Sequence, residues 1–285
     1  MEGLADLHMH TNHSDGLLSV ESLLRSAHRA RLSVVGITDH DSVDGLAEAF
    51  RRASELGISV LAGTELSTTL DGSEVHLLAY AFDPENTDLA GYLAACRKER
   101  RSRAERIVAK LQAMNVPLRM ESVLDKAGHG SIGRPHIAHA LVEEGHTGTL
   151  TEAFARYLAN GKPAYEGKRF PEPEEAIALV KAAGGVCCIA HPGDMEDGTV
   201  RRLVRAGVEG VEVVHPSHTR AHVERYERTA NELGLLRTGG SDFHGGGRDA
   251  QRALGKYTVP AERADEVRNR AAYAGSTTVP QRVTG

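Results

Sequence analysis

Asp6-Leu7-His8-Met9-His10-Thr11-Asn12-His13-Ser14-Asp15 sets three histidines and two aspartates within ten positions, directly after the apolar pair Leu4-Ala5. His8 and His10 are two apart, and in an extended strand such residues point to the same side. Two imidazoles on one face of a strand end, with a carboxylate a few residues on, are a natural start for a metal site. A lone His-x-His is equally well read as a solvated surface pair. Recurrence of similar clusters along the chain decides between the two.

Outward from this stretch the chain alternates strand and helix patterns. Residues 3–7 form the strand that leads into it, and a helix follows at 20–30, with Ser19 and Ser22 as cap candidates. A β-rich strand at 33–38 ends at Asp39-His40-Asp41, a helix at 46–56 stops at Gly57, and a strand at 58–62 ends at Gly63-Thr64-Glu65. Asp71-Gly72 marks a hairpin-like turn into a fourth strand, 74–82, which carries His76. After Pro171, helices at 173–183, 199–206 and 219–233 alternate with strands. Those strands, 185–190, 208–214 and 235–239, end at His191-Pro192-Gly193, His215-Pro216-Ser217-His218 and Gly240-Ser241-Asp242-Phe243-His244. A further short strand and helix follow 254. Strands alternating with helices predict an α/β fold with a mostly parallel sheet. His, Asp or Glu stand at the C-terminal strand ends, where parallel α/β barrels build their sites.

Between about 89 and 157 the strand signal disappears. Leu93, Cys96, Ile107, Leu111 and Met114 fall on helical spacing, beside the basic run Arg97, Lys98, Arg100, Arg101, Arg103 and Arg106, which reads as a solvated helix face. Shorter helices are expected at 121–126 and 135–144, with Pro135 at a helix start. This region reads as a helical insertion in the repeat.

Composition excludes several classes. The 285 residues are 40% hydrophobic, enough for a sizeable core, and the net charge of −5 draws the protein to neither nucleic acid nor membrane by overall field. Three cysteines do not make a disulfide framework, and Cys187 and Cys188 should leave opposite faces of a strand as buried hydrophobes. No apolar run has the length of a membrane span and no signal peptide is visible, so a cytoplasmic protein is expected. Neither a Gly-x-Ser-x-Gly elbow nor a P-loop is present.

The strand-end groups are His8, His10, Asp15, His40, Glu65, His76, His191, Asp242 and His244, six imidazoles and three carboxylates. Their number suits two or three divalent ions, with Glu65 and one aspartate available as bridges. Mixed nitrogen and oxygen donors without thiolate suit Mn, Zn or Fe. With three ions the site would keep net positive charge, which invites a phosphate, and the ions would lower the pKa of a bound water that attacks phosphorus.

Taken in order, His8-Met-His10, Asp15, Thr38-Asp39-His40-Asp41, Gly63-Thr64-Glu65, His76, Ala190-His191-Pro192 and Ser241-Asp242-Phe243-His244 resemble the motif set of the PHP (polymerase and histidinol phosphatase) family. The resemblance implies a distorted (β/α)7 barrel, residues 1–88 and 171–285, with residues 89–170 as a helical insertion and substrate lid. It implies three divalent ions, Mn first with Zn or Fe as alternatives. His8, His10, Glu65 and Asp242 would hold one ion, Glu65, His76 and His191 a second, and Asp15, His40 and His244 a third. Glu65, Asp242 and His191 would stand at the reacting centre.

Gly133-Arg134-Pro135-His136 and Pro216-Ser217-His218 resemble the branch of nucleoside 3′,5′-bisphosphate phosphatases and 5′-to-3′ exoribonucleases. The substrate implied is a small phosphorylated nucleotide or a short oligoribonucleotide, with neither a membrane nor a protein partner. Arg134 suits a phosphate fork, and His136 sits near a helix start, where amides favour anions. Ser217 and His218 either hold a phosphate or close a turn. Lys168 and Arg169 read as solvated residues or as rim charges. His28, His139, His146 and His222 read as surface or packing residues, and His13 as a turn former. His129, in a Gly-rich loop, is read as disordered or as approaching substrate. Histidinol phosphatase and a purely structural metal module are the competing functions.

Overall fold

A computed structural model describes residues 3–167, 169–246 and 253–272. The elements in order are β1 (Leu4–Met9), α1 (Val20–Arg29), β2 (Leu32–Ile37), α2 (Leu46–Glu55), β3 (Ser59–Leu70), β4 (Ser73–Tyr80), α3 (Thr87–Ala113), α4 (Met120–Ala127), α5 (Arg134–Glu143) and α6 (Leu150–Ala153). A π-helical turn, Phe154–Leu158, continues α6. Then come α7 (Pro173–Ala182), β5 (Val186–Ile189), α8 (Asp197–Ala206), β6 (Gly210–Val214), α9 (Arg220–Leu233), β7 (Leu236–Gly239), β8 (Val259–Pro260) and α10 (Glu262–Arg270).

The eight strands form one sheet in the order β7-β6-β5-β4-β3-β2-β1-β8, almost the order of the chain, curled into a nearly closed barrel. It is less parallel than the repeat predicts. β1-β2-β3 and β5-β6-β7 are parallel, but β4 is antiparallel to both neighbours and β8 to β1. The reason lies at Asp71 and Gly72, which both adopt positive φ, 49° and 78°. A two-residue turn of that kind returns the chain directly beside itself, and no crossover helix fits in it. β3 therefore runs on to Leu70 instead of ending near Ala62. β4 travels away from the site, which is why His76 lies within its strand and not past the end.

Alternation along the strands fills two layers. Ala5, Leu7, Val34, Leu61, Leu78, Tyr80 and Cys188 pack inside the barrel. Met9, Val35, Ile37, Leu77, Cys187 and Ile189 pack outward against the helices. The adjacent cysteines thus face opposite ways, and both are buried and free. Residues from α3 to Ala164, including Ile107, Leu111, Ile137, Leu141 and Leu158, build a third apolar cluster of their own. Where β7 meets β1 the ring is drawn shut by a parallel bridge between Met9 and Phe243, with the His10 N–H donating to Phe243 O at 2.9 Å. Gly240 permits this approach, since a Cβ there would lie 2.4 Å from His8 N. Among the described residues, no helix is long and apolar enough to cross a membrane.

Candidate metal centre

The strand-end groups converge on Glu65, which is 1% exposed. Its Oε2 lies 3.3 Å from His8 Nε2, 3.2 Å from His10 Nε2 and 3.2 Å from His40 Nδ1. Its Oε1 lies 2.6 Å from His76 Nδ1 and 3.0 Å from His191 Nε2. Asp242 Oδ1 stands 3.3 Å from His8 Nε2 and 3.1 Å from His10 Nε2, and Asp15 Oδ1 3.0 Å from His244 Nε2. Three overlapping groups result: His8, His10, Glu65 and Asp242; His10, Asp15, His40 and His244; and His40, Glu65 and His76.

His10 Nε2, Asp15 Oδ1, His40 Nδ1, His76 Nδ1 and Asp242 Oδ1 are all buried without a hydrogen-bond partner. Leaving such atoms unsatisfied costs free energy, so their convergence needs something to satisfy them. Ligand atoms each about 2.0–2.2 Å from one ion lie roughly 3 Å apart, close to the spacing here. The donor set therefore fits divalent metal.

The electrostatics agree. Burial pushes the Glu65 carboxyl up, but His40, His76 and His8 outweigh it and hold the group well below the usual carboxylate range. Asp242 is likewise held low against burial, by His8 and His10. Burial drives the His40 imidazole well down, toward the neutral form that binds metal. Burial also opposes charge on His244, yet Asp15 raises it to about 10.

Local structure fixes each donor. Asp39 pins the loop after β1, accepting from Thr11 N–H at 2.7 Å and Ser14 O–H at 2.6 Å. Asp6 Oδ1 accepts the Ser241 N–H at 2.9 Å and so ties β1 to the loop carrying Asp242 and His244. His8 Nδ1 pairs with Glu212 Oε1 at 3.0 Å, which turns Nε2 toward Glu65. Glu212 Oε2 also accepts the His191 N–H at 2.6 Å. His76 Nε2 is held by Glu74.

Glu212 and its neighbour His215 join the candidate site, and the sequence reading did not count them among the ligands. His8, Glu212 and His215 form a further group of possible ligands, and His215 Nε2 reaches Asp242 Oδ2 at 3.4 Å. The available signal was a carboxylate inside the apolar run Val211-Glu212-Val213, which in a buried strand needs a partner.

The expected phosphate contacts have mixed surroundings. Arg134 opens α5 beside Gly133, whose added Cβ would lie 3.0 Å from Asp15 Oδ2, so the insertion rests on the metal-binding loop. His136 is buried, and its Nδ1 accepts the Gly133 N–H at 3.0 Å, capping the helix. His218 spends both ring nitrogens inside the protein, donating to Val213 O at 2.8 Å and accepting from Gly193 N–H at 3.2 Å, which is the turn-closing alternative. Ser217 Oγ bonds His215 Nδ1 at 2.7 Å. Arg169 is exposed, and Lys168 lies outside the described residues. His222 completes a helix cap with Thr219.

The solvated reading of the basic run fails at Arg100 and Arg103. Arg100 and Arg103 are each only 5% exposed. Arg100 bonds Asp41 Oδ2 at 2.6 Å and Ser67 Oγ at 2.7 Å, directly behind His40. Arg97 donates to Asp41 O at 2.7 Å. The long side chains carry α3 against the barrel as a polar seam, while Arg101 and Lys98 remain exposed.

On the opposite flank, beside His76 and His191, lies a cavity of about 660 Å³. Its wall includes Asp71, Glu74, Asp194 and Glu196, with Val75 and Met195, and no lysine or arginine among the described residues.

Comparison with known proteins adds to the geometry. The PHP domain family profile matches residues 6–90. A 3′,5′-nucleoside bisphosphate phosphatase of Chromobacterium violaceum is 34% identical over 254 residues, covering 86% of this chain and 89% of that protein. The 5′-3′ exoribonuclease Rnm of Escherichia coli is 31% identical, with 84% of each chain covered. A crystal structure from Bifidobacterium adolescentis, described as a metal-dependent phosphoesterase, superposes with a TM-score of 0.88 at 34% identity, over 94% of this chain and 96% of that one. An amidohydrolase structure from Chromobacterium violaceum, with bound sulfate and no metal, gives 0.79 at 31% identity, over 90% and 97%.

Proposed function

The chain belongs to the PHP domain family, and from that premise we propose that it removes the 5′-phosphate of nucleoside 3′,5′-bisphosphates and shortens small RNA oligonucleotides 5′-to-3′, as a metal-dependent phosphoesterase. The observation that carries this reading is the set of buried, partnerless donor atoms around Glu65. His8, His10, Asp15, His40, Glu65, His76, Asp242 and His244, which fall into groups of possible ligands, would hold three divalent ions together with His191, whose Nε2 lies 3.0 Å from Glu65 Oε1, with Mn as the first candidate. Bound there, such ions acidify water and neutralise charge on the phosphoryl oxygens. Glu65 and Asp242 keep their negative charge because imidazoles surround them, and Glu212 keeps His8 turned toward both. His191 completes the reacting centre on the side of the open cavity.

Residues 89–170 act as the lid that adds selectivity, and Arg134 is its first phosphate contact. The acidic flank repels a second phosphate, so the non-scissile phosphate turns toward the arginines of the insertion. The relatives named for bisphosphates and for RNA support this choice over histidinol phosphate.

A phosphate-release screen of the Mn-loaded protein tests the reading. Adenosine 3′,5′-bisphosphate should exceed 5′-AMP by at least about tenfold in kcat/KM, since a charged hydrogen bond contributes on the order of 1.5–3 kcal/mol. Histidinol phosphate as the best substrate would overturn it.

A further inference from the structure

Hydrolysis of a phosphoester joins a water oxygen to phosphorus, breaks one P–O bond and passes a proton of the water to the departing alcohol. A phosphomonoester carries one organic group on phosphorus and a phosphodiester carries two. A centre that acts on both must keep a second space beside the ions, filled only by the diester. The insertion takes up one side, with Gly133 packed against Asp15. On the other side opens the cavity of about 660 Å³, whose wall includes His76 and His191. Both rings touch Glu65 Oε1, His76 through Nδ1 at 2.6 Å and His191 through Nε2 at 3.0 Å. The cavity thus reaches to within one ring of the shared carboxylate.

Its volume falls within the roughly 300–1,000 Å³ of pockets that bury small organic ligands. The β3–β4 hairpin supplies one wall through Leu70, Ser73 and Val75, and the chain from β5 into α8 supplies the other through Pro192, Met195 and Thr199. The carboxylates at its edge do not make it a cation site, because they are engaged. Asp71 pairs with Arg202 at 3.1 Å, Asp194 with His222 at 3.0 Å, and Glu74 holds His76. What they leave is apolar surface rimmed by hydroxyl and carboxylate acceptors, which suits an uncharged group rich in donors and disfavours a phosphate. A ribonucleoside has that chemistry. Its ribose hydroxyls and base amino groups donate, and its base presents apolar faces. Met195, with its adaptable thioether, packs on a base of any identity.

We propose that this cavity seats the second nucleoside of an RNA substrate, the one joined to the scissile phosphodiester on the side away from the insertion. A nucleoside 3′,5′-bisphosphate has no such group and does not use it. The assignment rests on the functional reading above and deepens it, since the same ions serve both substrates and the cavity decides only the diester.

The decisive comparison sets 5′-phosphorylated diadenylate, read as cleavage of its internucleotide bond, against adenosine 3′,5′-bisphosphate. Thr199→Trp, in the first turns of α8, fills the cavity. With Mn present it should lower the kcat/KM ratio of diadenylate over bisphosphate by about tenfold or more. Ser73→Trp, exposed on the hairpin wall, should do the same without entering the core. Arg205→Trp, on the exposed face of α8, should keep the wild-type ratio. Titration calorimetry on chelated, metal-free protein gives a reading independent of turnover. There Thr199→Trp should weaken diadenylate by about tenfold and the bisphosphate by less than about twofold.

Wild-type ratios in folded Thr199→Trp and Ser73→Trp, checked by circular dichroism and Tm, would overturn the subsite and leave the phosphatase standing. An equal fall on both substrates would overturn it too, because the cavity would then serve the nucleoside that the two share. Thr199-dependent binding of diadenylate by a wild type that cleaves neither substrate would keep the subsite and overturn the functional reading.

Discussion

Five imidazoles touch the single carboxylate of Glu65: His8, His10, His40, His76 and His191. Glu65→Gln preserves its size and removes its charge, so bound metal and turnover should both fall by orders of magnitude. His28→Asn, exposed on α1, should change neither. Elemental analysis beside phosphate release checks this, and equal behaviour of the two variants would end the assignment of ligands. Gly240→Ala is the backbone counterpart. Its methyl would collide with His8 N and Cβ, at 2.4 and 2.5 Å, so metal content and Tm should drop together. At this scale the convergence was most legible, because candidate ligands at strand ends advertise themselves by type and position. Glu212, His215 and Asp6 were not legible, because what they do depends on partners far along the chain. Glu212 meets His8 across 204 positions.

At the scale of elements, α3 shows why a pattern can be right and its interpretation wrong. Leu93, Cys96, Arg100, Arg103 and Ile107 form one buried stripe with helical spacing, so the two arginines continue the apolar face and do not oppose it. A basic run reads as solvated unless each member is placed on the helix, and even then only Asp41, Ser67 and Glu166 show what receives it. Removing one partner of a buried pair leaves the other uncompensated. Arg100→Ala should therefore destabilise the protein by about 3–5 kcal/mol in urea denaturation, and Arg101→Ala by less than about 0.5 kcal/mol. Comparable midpoints for the two variants would contradict the burial. The hairpin turn was legible at Asp71-Gly72, but its consequence was not. Two residues in the left-handed region reverse β4 and remove one crossover from the expected repeat.

For the whole molecule, metal should act as a stabiliser as well as a reactant. Chelation should abolish hydrolysis and Mn restore it. At ion concentrations a hundredfold above Kd, each independent site should contribute about 2.7 kcal/mol to unfolding free energy, read as a rise in Tm. Full activity in protein shown by elemental analysis to be metal-free would defeat the mechanism. The barrel as an α/β form was visible in the repeat. The short strand and helix after 254 were visible as well, but the antiparallel pairing of β8 with β1 and the antiparallel centre were not, because strand direction is set by closure and turn geometry.

The seam between β7 and β1 has a consequence for how the protein is made. Because strands lie side by side almost in chain order, most of the sheet can assemble progressively as the polypeptide leaves the ribosome. The site cannot. His8 and His10 each emerge 234 positions before Asp242 and His244 respectively, so these two histidines wait through that stretch of synthesis for their neighbours. The two groups that need Asp242 or His244 thus stay incomplete until the ring shuts. In rate terms, ions that need the shut ring stabilise contacts formed after the folding barrier. Stopped-flow experiments should find Mn slowing unfolding by orders of magnitude and leaving refolding nearly unchanged.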